Sequence, residues 1–399
     1  MKIMFKQLFA LTNIQIFGSA LSFALSIVLA NQLEPSNFGI YSKALILGNV
    51  LSLIGIYGTD HTAPVYATKL KNNQEVFNIV YSIRIVFFIV ILAYVPFLLI
   101  QNSALALGVF VMCLTVFNLS FLYEISDDNI HYAMTFFGER LIYVFIASLF
   151  IITGTLNLYV IFLCFGLATI LSISWQIKTY RAFFEQFAFQ SCDKIKTAIK
   201  NNTFIITISL AEFTYGGFSR LILENRYGLE AMGVYSAGWQ SIMVITIFQA
   251  QVTKVWRYKI SDSLVNKKNG LKELVVNYIK LSTVPVFLFS IFIWIFTDQI
   301  VDFLFISNYS SLKSLLPIFA CYFIIINLNT LSSIFWVSVD NKKEFLSINL
   351  ISSIVLIFIL YNIPNDLEIN IFAGIIIFTH GVTVLWLLTR FYFKHLRSR

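Results

Sequence analysis

The residues that could do chemistry in this chain are charged side chains inside long apolar stretches. Glu212 lies near the middle of about twenty almost wholly apolar residues, the length that a helix needs to cross a bilayer. A carboxylate at that depth costs roughly 2.5–3.5 kcal/mol on insertion scales, so we expect Glu212 to face protein or water. Arg220 follows a little over two helical turns later and shares a broad face with Glu212.

Other ionisable residues interrupt the remaining apolar stretches. With Glu212 and Arg220 they give five bases and three acids, the others being Lys43, Arg84, Glu124, Glu139, Arg140 and Lys280. Arg140 lies deep in its stretch, whereas most of the others lie near a predicted end, where a long side chain can also reach the headgroups. The surplus of cations favours a cavity for an anionic group such as pyrophosphate, which arginine binds bidentately. The predicted cavity residues are Arg140, Arg220, Lys43, Arg84, Lys280 and Tyr215.

Two carboxylates are predicted to take part in ion coupling, Glu212 and Asp60, with H⁺ or Na⁺ as the ion and no other cofactor. Asp60 closes the second apolar stretch, so it could also be a helix-end residue without a further role. Tyr215 could stack on a sugar ring, or it could be a packing residue. His380 is predicted to be a packing residue, and the scattered histidines predict no metal site. The chain has no HExxH, phosphate loop, nucleophile elbow or paired catalytic carboxylates, so no catalytic residues are predicted.

The elements that position these residues are predicted to be membrane-spanning helices. Of the 399 residues, 58% are hydrophobic and only 12% are charged, against about 25% charged in a soluble domain. The apolar runs are long and continuous rather than alternating, which favours helices over a β-barrel. The net charge of +8 comes from bases in short connections, where membrane topology explains them, so no nucleic-acid partner is predicted.

The predicted fold is all-α, with twelve spans in two six-helix lobes. In the N-terminal lobe, residues 1–190, the spans are 8–30, 39–57, 77–100, 104–125, 132–152 and 158–177. In the C-terminal lobe, residues 191–399, they are 204–223, 234–255, 275–296, 315–339, 345–361 and 369–391. The longest connection, residues 178–202, separates the lobes, and no connection is long enough to hold a soluble domain.

Lysine and arginine are concentrated in alternate connections, and this asymmetry predicts the orientation in the membrane. The basic connections at 69–71 and 194–200 are predicted to be cytoplasmic, whereas the acidic turns at Glu34, Glu230 and Asp302 are outside. An even number of spans then places both termini in the cytoplasm.

Two short sequences repeat at the same place in each half of the chain. LEPSNFGIYS (33–42) follows the first span, and LEAMGVYS (229–236), with two residues fewer, follows the seventh. This repeat predicts that the second half is a copy of the first. Because six spans is an even number, the copies would share one orientation and be related by an axis along the membrane normal.

These features together resemble the polysaccharide (O-antigen) flippases of the multidrug/oligosaccharidyl-lipid/polysaccharide exporter (MOP) superfamily, which also contains the MATE transporters. The resemblance rests on LEPSNFGIYS after the first span, Gly58-Thr59-Asp60 and a basic connection after the second, and LEAMGVYS after the seventh. It implies two pseudo-symmetric lobes that face each other across a cavity. The second copy lacks a proline like Pro35 and a base like Lys43, so a basic contact there would belong to one lobe.

The resemblance implies a function in polysaccharide or lipopolysaccharide biosynthesis. The protein would carry an undecaprenyl-pyrophosphate-linked oligosaccharide, of O-antigen or capsule, from the cytoplasmic to the periplasmic leaflet of a bacterial inner membrane by alternating access. Its expected partners are this substrate, the surrounding lipids and, as a further partner to consider, the glycan polymerase and chain-length machinery. Two alternatives stay open: a cation-coupled drug antiporter of the same superfamily, and a membrane-embedded polysaccharide polymerase or glycosyltransferase. The second alternative needs an extramembrane loop or domain to hold its acceptor, which the predicted connections do not provide.

Overall fold

The computed structural model describes residues 2–126, 128–265, 270–338, 342–364 and 367–396. All regular structure in these ranges is helical, and nine of the described helices are long and apolar enough to cross a membrane. The predicted all-α membrane class is therefore confirmed. Each predicted span coincides with one or more helices, and residue 339, the predicted end of the tenth span, lies outside the described residues.

The chain divides into two compact units. Unit 1 consists of Met1–Leu25 and Ile40–Leu210, and unit 2 consists of Ser26–Gly39 and Ala211–Arg399. The C-terminal end of the first predicted span therefore packs in unit 2, although the residues on either side of Ser26–Gly39 belong to unit 1. The division into functional lobes at residue 190 stays a prediction.

Ten α-helices precede the π-helical turn at Thr214–Phe218. They are α1 (Lys2–Ile56), α2 (Thr59–Leu70), α3 (Asn73–Leu92), α4 (Val95–Gln101), α5 (Ser103–Cys113), α6 (Ser120–Ile125), α7 (Asn129–Ile152), α8 (Leu158–Thr179), α9 (Arg181–Glu185) and α10 (Cys192–Phe213). Seven more follow: α11 (Ser219–Val265), α12 (Leu271–Tyr278), α13 (Val284–Ile295), α14 (Thr297–Leu304), α15 (Leu312–Ser338), α16 (Lys342–Asn362) and α17 (Ile369–Phe391). Three π-helical turns, Thr214–Phe218, Ile279–Thr283 and Tyr392–Leu396, adjoin these helices.

The span predicted at 104–125 is not one continuous helix. α5 ends at Cys113, a 3₁₀ turn covers Leu114–Phe117, and α6 begins at Ser120. Side chains replace the main-chain hydrogen bonds lost at this break: the N–H of Leu119 donates to Gln176 Oε1 at 2.7 Å, and Arg84 donates to main-chain carbonyls. Broken helices persist at membrane depth only where protein groups satisfy the freed backbone in this way.

The repeated sequences correspond in three dimensions, but in a different alignment from the one predicted. α1 is kinked at Glu34 (φ 62°, ψ 160°) and α11 at Gly228 (φ 85°, ψ 177°), and each kink precedes the repeated glycine by five residues. Glu34 is therefore equivalent to Gly228, and Pro35 to Leu229, with no gap. The predicted pairing of the two Leu-Glu dipeptides is wrong, because the feature that repeats is the backbone kink.

The two copies of the repeat pack directly against each other within unit 2. An added Cβ would lie 2.1 Å from the Leu229 carbonyl oxygen at Gly39, and 1.8 Å from the Pro35 carbonyl oxygen at Gly233. Since Leu229 and Pro35 are equivalent, each glycine meets the same position of the other copy. Membrane helix interfaces commonly contain glycine, because its lack of a side chain lets two backbones approach closely and lets Cα–H groups contact carbonyl oxygens.

The loop between α14 and α15, which is predicted to lie outside the membrane, holds the first copy of the repeat in unit 2. Asn31 donates from Nδ2 to the Leu304 carbonyl at 2.8 Å and accepts the Ile306 N–H at 3.1 Å, and Tyr309 donates to the Ala30 carbonyl at 3.0 Å. Burial, and to a smaller extent the Glu34 carboxylate, raises the pKa of Tyr309, so its hydroxyl stays protonated and able to donate. Two connections predicted on the same side of the membrane thus meet.

Replacing Asn31 with alanine should loosen this clamp. The change leaves the Ile306 N–H and the Leu304 carbonyl without their partner, at a cost of about 1–3 kcal/mol if water does not enter. Thermal unfolding of the full chain in detergent and hydrogen exchange at the Ile306 amide would measure it. Asn31→Asp keeps the oxygen that accepts the Ile306 N–H, so hydrogen exchange at that amide should increase less than in Asn31→Ala. If the Ile306 amide exchanges at the wild-type rate in both variants, Asn31 does not hold the two connections together.

Candidate functional site

The main cluster of candidate residues surrounds the π-helical turn at Thr214–Phe218, in unit 2. A π-turn absorbs one extra residue and frees backbone carbonyls, and such turns are frequent at functional sites. Three side chains bind these carbonyls: Ser353 donates to Ala211 at 2.8 Å, Ser219 donates to Tyr215 at 2.9 Å, and Arg220 Nε donates to Gly216. The Gly216-Gly217 pair leaves room for the rings of Trp239 and Phe213 against the turn.

The turn directs Tyr215 against α17. The Tyr215 ring stacks on the His380 ring, with centroids 4.0 Å apart and planes 13° apart, and its hydroxyl lies 3.2 Å from Thr383 Oγ1. The Tyr322 hydroxyl of α15 lies 2.7 Å from His380 Nδ1. All three rings are almost fully buried. His380 is therefore held by two tyrosines, an arrangement that its apolar sequence surroundings do not indicate.

Arg220 is the cation of this cluster. Its guanidinium carbon lies 5.6 Å above the Trp239 ring, and the Trp239 ring is 5.1 Å from that of Tyr322. Tyr235, the tyrosine of the second repeat, lies within electrostatic range of Arg220, and its buried hydroxyl has no hydrogen-bond partner in the described part of the chain. Apart from the bond to Gly216, Arg220 makes no hydrogen bond or ion pair with a described residue.

Glu212 stands one turn before this cluster and is exposed, although it lies in an apolar helix. It lies within electrostatic range of Tyr215 and Tyr322, which places it on the side of the cluster. No described residue forms a hydrogen bond or ion pair with its carboxylate. Arg220 is the eighth residue after Glu212, but the π-turn absorbs one of these residues. Around the helix axis, Arg220 therefore lies where the seventh residue of a regular α-helix would lie, about 20° from Glu212. Glu212 and Arg220 thus share a helix face without pairing.

Arg140 forms a second cationic centre, in unit 1. Its guanidinium carbon lies 5.0 Å from the ring centroid of Phe136 and 5.9 Å from that of Phe165. Its Nε is buried without a hydrogen-bond partner, and within the described ranges it has no ion-pair partner. Tyr41, the tyrosine of the first repeat, lies within electrostatic range of Arg140, and its hydroxyl is 3.5 Å from that of Tyr143. In each unit, therefore, the repeated tyrosine neighbours an arginine without a carboxylate partner.

Glu139 does not pair with Arg140, in keeping with the different directions of adjacent helical residues. It is buried and accepts a hydrogen bond from Thr169 Oγ1 at 3.2 Å. The neighbouring Tyr132 lies within electrostatic range of Asp60, Glu124, Glu139 and Arg140.

Arg84 and Asp60 form an ion pair with each other. Arg84 is fully buried; it binds Asp60 Oδ1 at 2.5 Å, Thr59 Oγ1 at 3.2 Å, and the carbonyls of Val116 and Asn118 at 3.0 and 2.5 Å. These four hydrogen bonds, one of which is the ion pair with Asp60, account for most of its donors. These contacts give Arg84 a role in the interior of unit 1, so we leave it out of the proposed binding residues.

The two lysines among the predicted cavity residues, Lys43 and Lys280, differ in burial. Lys43, half-buried, follows the first repeat on α1. Lys280 is exposed in the π-turn Ile279–Thr283 and forms no hydrogen bond or ion pair with a described residue. The same turn is anchored by buried Asn327, which bonds Ser282 and Thr283.

Sequence reasoning based on charged residues in apolar stretches did not find three members of the main cluster, which are His380, Tyr322 and Thr383. The signal that could have indicated them is the Gly216-Gly217 pair, which permits a bend beside an in-span carboxylate. Within the described residues no group of three or more histidine, cysteine, aspartate or glutamate side chains could hold a metal ion.

Comparison with known proteins shows the fold. No protein-family model and no curated protein matches the sequence. A multidrug resistance MATE family transporter of the MOP superfamily, in an inward-facing conformation, matches with a TM-score of 0.64 and 15% identity, over 96% of this chain and 94% of that chain. An outward-facing structure of such a transporter matches with a TM-score of 0.62 and 13% identity, over 99% of this chain and 97% of that chain.

A third solved structure is a MOP superfamily transporter from Pyrococcus furiosus, for which a reverse polarity of the binding pocket suggests a different function. It matches with a TM-score of 0.60 and 14% identity, over 97% of this chain and 95% of that chain. The chain therefore has the fold of MOP superfamily membrane transporters, and it is a multi-pass membrane protein.

Proposed function

We propose that the protein moves an anionic lipid-linked oligosaccharide, carried on undecaprenyl pyrophosphate, from the cytoplasmic to the outer leaflet of a bacterial inner membrane. The observation that carries this proposal is that Arg140, in a helix long and apolar enough to cross a membrane, and Arg220, in a span predicted from the sequence, have no carboxylate partner among the described residues. A cation at that depth is costly unless an anion compensates it. An anionic substrate would supply the missing charge.

The surroundings of both arginines suit a pyrophosphate group. Each guanidinium lies over aromatic rings, which hold its plane while leaving edge N–H groups for a bidentate anion. Each also neighbours a tyrosine of the repeat, Tyr41 or Tyr235, whose ring could contact a sugar. We assign Arg140 and Arg220 to substrate binding, and Glu212 to ion coupling. Lys43 and Lys280 are secondary candidates.

Pocket polarity varies among solved structures of this fold. The Pyrococcus furiosus transporter shows that a pocket of reverse polarity occurs on this fold and suggests a different function there. The surplus of unpaired arginine in this chain indicates a substrate of negative charge. In our proposal the termini face the cytoplasm, and the lipid substrate and surrounding lipids are the partners.

Substituting Arg140 or Arg220 with alanine should weaken the binding of inorganic pyrophosphate, used as a soluble probe of the headgroup, about 10- to 100-fold. One lost hydrogen-bonded charge is worth about 1.5–3 kcal/mol. Calorimetry on the full chain in lipid nanodiscs would measure the binding. Translocation of a defined lipid-linked oligosaccharide in proteoliposomes should fall in parallel.

Arg181→Ala is the matched control for these variants. Arg181 is an exposed arginine of α9 that pairs with Glu185 at 2.7 Å, so its removal takes away one positive charge without touching either centre. Equal pyrophosphate affinity in the wild type, Arg140→Ala and Arg220→Ala would contradict the substrate-binding roles of both arginines.

One observation favours a second candidate, a cation-coupled drug antiporter. Glu212 is an exposed, unpaired carboxylate inside a span, and such a group could bind an organic cation directly. The two candidates differ in the sign of the substrate's charge. Binding of a lipophilic monovalent cation that Glu212→Gln abolishes, together with no pyrophosphate binding, would favour the antiporter.

A further inference from the structure

We propose that His380 is a proton-binding site and that its occupancy is transmitted to Arg220 through the π-turn at Thr214–Phe218. The inference deepens the proposed function, since it rests on the anion-binding role of Arg220. It differs from the sequence-based expectation, which made His380 a packing residue and placed ion coupling on Glu212 and Asp60.

The contacts of His380 accommodate both protonation states. With a neutral ring, Nδ1 can accept the hydrogen bond of the Tyr322 hydroxyl, and with a protonated ring, Nδ1–H can donate to the same oxygen at 2.7 Å. The Tyr215 ring lies parallel to the imidazole at 4.0 Å, where a protonated ring gains cation–π attraction.

Two titratable groups contact His380: Tyr215, from the π-turn, and Tyr322, from α15. The Glu212 carboxylate, from α10, lies within electrostatic range of both tyrosines. α11 contributes Tyr235, in electrostatic range of Tyr322, and Arg220, in electrostatic range of Tyr235.

The π-turn connects the two sites covalently. Tyr215 stacks on His380, and the next residue, Gly216, holds Arg220 Nε through its carbonyl. A proton on His380 strengthens the stack and so favours the π-turn, which keeps Arg220 anchored by Nε with its terminal N–H groups available. Relaxation of the turn to an α-helix would rotate Gly216 relative to Arg220 and so break the bond between the Gly216 carbonyl and Arg220 Nε. The turn is thus a two-state element that both sites can bias.

The linkage has a definite sign. Anion binding at Arg220 should favour the anchored state and therefore proton uptake at His380, and by reciprocity a proton on His380 should tighten anion binding. Attraction between the bound anion and a protonated imidazole acts in the same direction.

The first test needs no ligand. The full chain in nanodiscs is labelled at histidine and arginine side chains, and its pH titration is followed by NMR from about pH 8 down to the lowest pH at which the chain stays folded. His380 is assigned with His380→Gln, and His380→Asn replaces it if that variant does not fold. We expect the His380 ring and Arg220 Nε–H signals to shift with one midpoint in the wild type, and the Arg220 shift to vanish in the variant. A His380 that does not titrate, or an Arg220 shift that survives in the variant, would overturn the proposal.

The second test uses inorganic pyrophosphate and measures proton uptake by calorimetry in buffers of different ionisation enthalpy. Wild type should take up a proton on binding, and uptake should fall to near zero in His380→Gln while binding persists. Tyr215→Phe keeps the stacked ring and should keep the linkage, whereas Tyr215→Leu should lose it. Uptake that survives in His380→Gln and disappears in Glu212→Gln would overturn the role of His380.

The two tests separate this inference from the proposed function. If wild type binds no pyrophosphate, the proposed substrate class fails, and the ligand-free titration still decides whether His380 and Arg220 are linked.

Discussion

Gly233→Val and Gly39→Val are expected to unfold the protein at a lower temperature and to abolish translocation. Each side chain would have to displace a main-chain carbonyl, since even a Cβ would lie 1.8 Å from the Pro35 oxygen or 2.1 Å from the Leu229 oxygen. Overpacking costs about 1–3 kcal/mol where side chains can move, and a backbone obstacle leaves less room for adjustment. Thermal unfolding in detergent and proteoliposome translocation would measure the two effects.

The chain provides a matched control for the glycine variants. A Cβ at Gly374 in α17 or Gly138 in α7 would meet nothing within 4 Å, so alanine there should be neutral or stabilising by up to about 1 kcal/mol. Gly39→Ala and Gly233→Ala should instead destabilise.

The alanine pair also tests whether the two contacts form one unit. Once the first alanine has pushed the two copies of the repeat apart, the second should cost less, so the double variant should be less damaged than the sum of the single variants. Full additivity, or a stability equal to that of Gly374→Ala, would show that the reciprocal contact does not hold the copies together.

The membrane class and the repeat could be predicted because both depend on local signals. Long apolar runs indicate spans, and the Gly-x-Tyr-Ser sequence at Gly39 and Gly233 marks the same position in each half. The break at 114–117 could not be predicted, since apolar residues continue through Val116. It is stabilised by Arg84 and Gln176, which come from distant parts of the chain.

For the candidate site, the depth of a charged residue within a predicted span could identify that residue in the sequence, but it could not identify the residues that contact it. Glu212, Arg220 and Arg140 stand out in the sequence as charges in apolar runs, and the structure leaves all three without an ion-pair partner in the described ranges. His380 does not stand out, because its stack with Tyr215 depends on a π-turn. Helical periodicity of 3.6 residues assigns faces correctly only where the helix is regular.

Arg84→Met is expected to be the most destabilising substitution of a charged residue in unit 1. It removes four hydrogen bonds, leaves the Val116 and Asn118 carbonyls unpaired at the broken helix, and takes the cation from Asp60. Leaving the two carbonyls unpaired costs about 1–3 kcal/mol each, and Asp60, whose side chain is 33% exposed, loses its ion-pair partner. Thermal unfolding of the full chain in detergent would measure this. Arg181→Ala, which breaks an exposed pair with Glu185, should cost less than about 0.5 kcal/mol.

Asp60→Asn tests whether the predicted ion-coupling role survives this pairing. An amide oxygen can still accept from Arg84 and from Ser120 Oγ, which lies 3.0 Å from Asp60 Oδ1, so the variant should fold but be less stable than wild type. If Asp60 serves only to hold Arg84, translocation at equal folded protein should keep its dependence on the ion gradient. If translocation loses its dependence on the ion gradient in Asp60→Asn but keeps it in Glu212→Gln, Asp60 is the coupling carboxylate. Protonation of Asp60 would then release Arg84 from the ion pair.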